Sequence, residues 1–231
     1  MGIKSLGIGL SSLRTNLASI ETVGHNIANA NTEGYSRQRV ELATRLPNDN
    51  GAYVVGQGVQ VSTVARIADE FLETRLRKES SAFSGFKETS NILKEVEFTL
   101  NELSDQDLSN KLSNFFNSIQ DFSNNVDDNS TRMAMMEQGV SLANEFNRLD
   151  TSMSEIQTKI NTKIIAEVND ANLYMEKLAT INQEIVQTES GGFSTSKAND
   201  LRDKRDVYLK KLAEVIDIDV REEAAMPWPP D

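Results

Sequence analysis

The chain has 231 residues, 38% of them hydrophobic, with a net charge of −11 and no cysteine. That length suits one large domain or two small ones, with enough apolar residues for a core, which sets it apart from disordered chains. An acidic surface without a basic track excludes a nonspecific nucleic-acid binder; the missing thiols exclude disulfides, thiolate catalysis and Cys-based metal centres; and no stretch reaches the roughly 18 apolar residues of a membrane span, so no membrane insertion is expected.

The charge is uneven. Residues 1–67 hold six Lys or Arg and four Asp or Glu, a balance of +2, so residues 68–231 carry −13. The N-terminus has neither an apolar signal region nor a small-residue cleavage site, so any export is expected to proceed without a cleaved signal peptide. "MGIKSL" places Leu6 where a myristoylation signal wants Ser or Thr.

Ile3, Leu6, Leu10, Leu13, Leu17, Ile20 and Ile27 recur in alternating steps of three and four, with Gly24 in the one gap. This is the narrow a/d seam of a coiled coil, held for over three heptads. Gly2, Gly7 and Gly9 each weaken a helix by roughly 1 kcal/mol relative to Ala, and isolated helices are marginal in water. Burying seven Leu or Ile side chains against partners would contribute on the order of 10–20 kcal/mol gross. The segment is therefore expected to order mainly on assembly, as an intermolecular seam.

After Asn31, "NTEGY" reads as a helix stop, with Gly34 available for a positive φ. "RQRVELATR" alternates, "PNDNG" at 47–51 is a turn cluster, and "AYVVGQGVQVSTV" resumes an extended pattern, which together predict a β-hairpin over 38–66. "GQG" at 56–58 lies between strand-like runs and opens no helix, so it is no dinucleotide fingerprint.

From Ala68 the chain reads as helical. Leu72, Leu76, Phe83, Phe86, Leu93, Val96, Leu100 and Leu103 mark one long helix. "SDQD" at 104–107 has the form of a capping box opening a second helix through Phe122, and "DDNS" at 127–130 breaks it, with Asn129 or Ser130 placed to cap the next. The third helix is the longest, with one apolar face from Leu142 to Ile185 ending at "SGG" from Ser190. Its roughly 55 residues correspond to roughly 80 Å. Four-residue steps from Ile156 through Ile160 and Ile164 to Val168 form a stutter. A last helix over about 197–215 leads to "IDIDV", whose alternation predicts a strand. "EEAAMPWPPD" continues no pattern, so residues 218–231 read as the start of a truncated next domain and an unrelated tail.

No site chemistry emerges. His25 is the only imidazole and lies in the heptad segment, where a polar helix residue is the simpler reading than a catalyst. "SGFK" at 84–87 has Ser-x-x-Lys spacing inside a helical pattern without supporting motifs. Asp127, Asp128 and Asn129 lack the glycine and terminal glutamate of a calcium loop and read as a helix cap. Met133, Met135 and Met136 read as gap-fillers of a bundle core. No catalytic, metal-binding or cofactor-binding residue is assigned, no cofactor is expected, and no enzyme.

"LRTNLASIETVGHNIANANTEGYSRQRV" resembles the N-terminal signature of the bacterial flagellar axial proteins, an aliphatic heptad leading into "NIANANT-x-GY". "GYSRQRV" at 34–40 and "NDLRDKRDVYLKKLAEVIDIDV" at 199–220 resemble its hook-associated branch at the hook–filament junction. The resemblance runs from about residue 1 to 223. It implies a non-enzymatic structural protein of the flagellum, exported by the type III route to the cell exterior and self-associating in a ring on the hook. Partners implied are the hook protein, the next junction protein and an export chaperone. It also implies that both chain ends are unfolded in the monomer and pair in the innermost layer of the tube. Ile3, Leu6, Leu10, Leu13, Leu17, Ile20 and Ile27 would form the assembly seam. Asn26, Asn29, Asn31, Gly34, Tyr35 and Arg37 would form the axial motif, with the asparagines bridging subunits. The C-terminal helix that would complete the seam has no counterpart in this sequence.

The expected fold is mainly α: a long antiparallel helical bundle with an N-terminal heptad helix and a small β-hairpin. The expected divisions are an axial segment over 1–67 (heptad helix 3–30, β excursion 38–66), a bundle over 68–217, and residues 218–231. A hook or rod protein, or a secreted helical-bundle adaptor whose 3–27 seam closes on the chain itself, are the alternatives.

Overall fold

The computed structural model describes residues 2–49, 54–100, 108–190 and 198–221. The "SDQD" capping box, most of the "SGG" stop and the proline-rich tail lie outside the described residues. Within them the chain is mainly α, with helices α1 (Gly2–Ala28), α2 (Glu70–Leu100), α3 (Leu108–Asn124), α4 (Asn129–Ser190) and α5 (Asn199–Val215). Four strands lie between α1 and α2: β1 (Gln38–Thr44), β2 (Asn48–Asp49), β3 (Val54–Val55) and β4 (Val59–Arg66). β1 pairs antiparallel with β4 from Gln38↔Arg66 to Thr44↔Val59, and β2 pairs with β3, so the predicted hairpin is present. The register shifts between Glu41 and Leu42, which face Thr63 and Val61, so the extra residue is Ser62 of β4, and Leu42 is exposed.

The chain divides into two compact units, residues 1–82 with 170–231, and residues 83–169. In the first, the end of α4 packs antiparallel on α5. Ala171, Leu178 and Leu212 form one buried cluster with Tyr174, Tyr208, Leu209, Val215 and Ile218 around it; Ile181, Ile185 and Ala198 form another. Glu189 ties the end of α4 to the start of α5: its carboxylate accepts from the Ala198 N–H at 3.1 Å and pairs with Arg202 at 3.0 Å. α1 and the β1–β4 hairpin belong to this unit and pack on each other.

In the second unit, α3 and the later part of α2 run antiparallel to α4. Lys111 of α3 and Arg148 of α4 both hold the buried Glu145, at 2.7 and 2.6 Å. Lys159 pairs with Glu95 and Lys163 with Glu88 along α2. Leu142, Leu149 and Ile156 are buried, whereas Ile164 and Val168 in the stutter are exposed.

Caps follow the short polar residues. Asp69 Oδ1 accepts from the N–H groups of Phe71 and Leu72 at the start of α2. At α4 the capping carboxylate is Asp128, which accepts from the Ser130 N–H and hydroxyl, so of the cap candidates Asp127 to Ser130 it is Asp128 that serves. Those bonds, the hydroxyl's first, hold the Asp128 carboxyl below its usual range.

Two local expectations fail. "IDIDV" forms no strand: Ile216 is extended, with its N–H on the Leu212 carbonyl, but 216–220 has no partner strand among the described residues and Ile218 instead packs on the α4–α5 core. Alternation supplies a conformation, and a ladder also needs an edge to pair with. Met133 and Met136 are exposed rather than core, because the face of α4 turned to α3 carries Gly139, Leu142 and Glu145. α1 is seated in its unit for a reason the heptad did not contain.

Candidate assembly site

That reason lies on the edge of α1 opposite in character to the seam. Ser11 and Thr15 are buried, and Ala18, Ser19, Thr22 and Asn26 continue the same stripe at steps of three and four. Four hydroxyls turn back into the helix: Ser11 donates to the Ile8 carbonyl, Thr15 to Ser12, Ser19 to Thr15 and Thr22 to Ala18, at 2.8 to 2.9 Å. With its donors satisfied internally, a Ser/Thr face can be buried without an unpaired polar group, and it is slim enough for a strand to approach closely. The approach is made at Gly58, φ +88°, where an added Cβ would stand 2.3 Å from Ser11 Oγ.

Seating the polar stripe on the hairpin leaves the seam outward. Leu6, Leu10, Leu13, Leu17, Ile20 and Ile27 are 47% to 73% exposed, and Val23 joins them at 54%. Ile3 lies within α1, and its side chain is outside the described ones. Leu and Ile side chains rarely stand in such a row without something covering it.

At its end α1 enters a joint. The Asn26 Oδ1 accepts from the Gln38 N–H and from the Tyr35 hydroxyl, both at 2.8 Å, while Nδ2 donates to the Gln38 carbonyl at 2.9 Å. Tyr35 OH also lies 2.9 Å from His25 Nδ1, and His25 Nε2 faces Asp200 Oδ2 at 3.6 Å. The Gln38 side chain donates to Asp200 Oδ1 at 2.8 Å. Asn199 donates to the Val64 carbonyl at 2.7 Å, and the Ser36 N–H donates to Asp203 Oδ2 at 2.9 Å. Asp203 and Asp206 grip Arg66 at 2.9 and 2.6 Å, with Asp203 and Arg66 both mostly buried. Gly34, φ +77°, closes the packing: a Cβ there would stand 2.1 Å from Val207 Cγ2.

The joint thus brings "GYSRQRV" onto the first turns of α5, two stretches more than 160 residues apart. Burial works against the Arg66 charge, yet its bonds to Asp203 and Asp206 outweigh that and raise its pKa. Burial, then Asp200 and Asp203, raise the Tyr35 pKa, so its hydroxyl keeps its proton.

Of the axial motif, Asn26, Gly34 and Tyr35 meet here. The Asn29 side chain donates to the His25 carbonyl and accepts from Thr32, capping α1, and the Arg37 carbonyl accepts from the Ile67 N–H while its side chain is exposed. Asn31 is exposed. Within its own chain the Asn26 amide bonds Gln38 and Tyr35, because the turn at Gly34 returns β1 to the end of α1. Gln38, Arg66, Asn199, Asp200, Asp203 and Asp206 were not anticipated. The available signal was the row of Asp200, Asp203 and Asp206 at steps of three, one helix face whose carboxylates need partners.

A family model described as flagellar hook-associated protein FlgK helical domain matches residues 93–226, and one described as flagella basal body rod protein matches residues 6–35. Flagellar hook-associated protein 1 of Bacillus subtilis (strain 168) is 33% identical over 227 residues, covering 95% of this chain and 44% of the relative. Its namesakes of Salmonella typhimurium and Escherichia coli K12 are 30% and 28% identical over 211 residues, covering 91% of this chain and 38% of theirs. The chain therefore spans less than half the length of these relatives.

Proposed function

Because the chain belongs to the flagellar hook-associated protein FlgK family, we propose that it is a structural, non-enzymatic component of the bacterial flagellum that helps to join hook to filament. The name borne by its relatives, flagellar hook-associated protein 1, supports that placement. The observation that carries the mechanism is the division of labour on α1: a buried Ser/Thr stripe seats the helix on its own hairpin, and the Leu/Ile stripe is left outward.

In this reading Ile3, Leu6, Leu10, Leu13, Leu17, Ile20 and Ile27 form a seam with helices of neighbouring subunits, which self-associate in a ring as the coiled-coil inner layer of the tube. Residues 1–67 act as the axial segment and 68–217 as the bundle outside it. The hook protein, the next junction protein and an export chaperone are the partners, and the route to the cell exterior uses no cleaved signal peptide. Because α1 is fixed to α5 through the joint, the orientation of α5 follows that of the seam.

A rod or hook subunit is the second reading, favoured by the rod-family match over residues 6–35. Labelling the protein on intact flagella separates the two. A band confined to the hook–filament boundary is expected; label on the rod or along the hook overturns the junction assignment.

A further inference from the structure

We propose that His25 and Asp200 form a proton-operated latch that tightens the joint between α1 and α5 as the medium becomes more acidic. The argument is one of donor counting. The Gln38 backbone N–H can only donate, so Asn26 Oδ1 must be the atom it reaches, which fixes the orientation of that amide. The Tyr35 hydroxyl has a single proton, and it is given to the same Oδ1. Toward His25 Nδ1 at 2.9 Å, Tyr35 therefore has only a lone pair to offer, and Nδ1 must carry hydrogen.

A neutral imidazole with its hydrogen on Nδ1 presents a bare lone pair at Nε2. That nitrogen faces the Asp200 carboxylate at 3.6 Å, beyond hydrogen-bond reach and without a proton to share. Gaining a proton changes the sign of the contact. Nε2–H becomes a cationic donor to Asp200 Oδ2, whose Oδ1 is already held by Gln38. The location reinforces this: His25 stands in the last turn of α1, where a cation is favoured, and Asp200 in the first turn of α5, where an anion is favoured.

The other groups at the imidazole do not compete for the proton. Tyr35 from the turn keeps its own hydrogen, with Asp203 behind it adding to the negative field. β1 contributes the uncharged Gln38, and on α1 itself the neighbouring turns carry Glu21, exposed, and Asn29.

His25 is the only histidine of the chain, which makes the test direct. The intact chain, labelled with nitrogen-15 in its imidazole, is expected to show the Nδ1–H tautomer near pH 8; an Nε2–H tautomer overturns the proposal. Amide exchange at Ser36 and Gln38, corrected for intrinsic rates, is expected to slow by about two- to fivefold near pH 5 relative to pH 8, the span of an exposed ion pair. Asp200→Asn keeps the acceptor for Gln38 but offers an N–H to the bare Nε2. In that variant the acid-side gain should vanish or reverse; an unchanged pH response in D200N, with the fold intact by circular dichroism, overturns the latch.

Discussion

Asn26 and Gln38 exchange two hydrogen bonds, the side-chain amide of the first serving both the N–H and the carbonyl of the second at 2.8 and 2.9 Å. An asparagine amide has the donor and acceptor of a peptide unit, so the end of α1 supplies β1 with one rung of a ladder that no strand provides. Asn26→Ala leaves both backbone groups, in a partly buried place, without that partner. A loss of about 1–3 kcal/mol in unfolding free energy is expected, together with faster amide exchange at Gln38. Unchanged exchange there would show that the amide does not hold β1.

Gly34 is required twice over, by its φ of +77° and by Val207. Gly34→Ala should cost about 1–2 kcal/mol for the left-handed backbone alone, with the Val207 collision adding to it. The double variant with Val207→Ala separates the two. It should recover the collision part and retain the backbone part, so the paired effects on urea midpoints are non-additive. Strict additivity would mean that the glycine does not sit against α5.

How much of this was legible in the sequence depends on the range of the interaction. The helicity of α1, the break before α4 and the alternation of β1 and β4 are legible, because periods of 3.5 and 2 repeat within a dozen residues. The stripe formed by Ser11, Thr15 and Thr22 was masked by the louder Leu/Ile pattern on the same helix. Nothing near Ser36 or Arg66 says that Asp203 will meet them, since that depends on the path of the intervening helices. "IDIDV" shows the converse, a local pattern with no edge among the described residues to complete it.

Glu145 sets a pH response in the unit of residues 83–169. Its bonds to Arg148 first, and then to Lys111, hold its carboxyl below the ordinary 4.5 despite burial. A depressed carboxylate contributes stability that is fully present above its unfolded value and is lost as the pH falls through the lower folded value. Exchange protection in α3 should therefore be level at neutral pH and decline on acidification below about pH 4.5. Glu145→Gln should lower that protection at neutral pH, where Lys111 loses its anion, and flatten the acid-side slope. An equally steep slope in the variant would assign the acid sensitivity to other carboxylates.

The two faces of α1 make opposite predictions for one kind of change. Leu13 is 67% exposed, so Leu13→Asp should alter monomer stability by less than about 0.5 kcal/mol. Thr15, 5% exposed on the same helix, has no room or partner for a carboxylate, and Thr15→Asp should detach α1 from the hairpin. In the full-length protein both should block incorporation into flagella, for different reasons. Leu13→Asp would remove the seam from a correctly folded subunit; Thr15→Asp would present the seam on a helix no longer fixed to its body. Circular dichroism and exchange across residues 6–28 separate the two routes. Normal motility with Leu13→Asp would remove the outward stripe from assembly, and would leave the row of exposed Leu and Ile on α1 without a purpose.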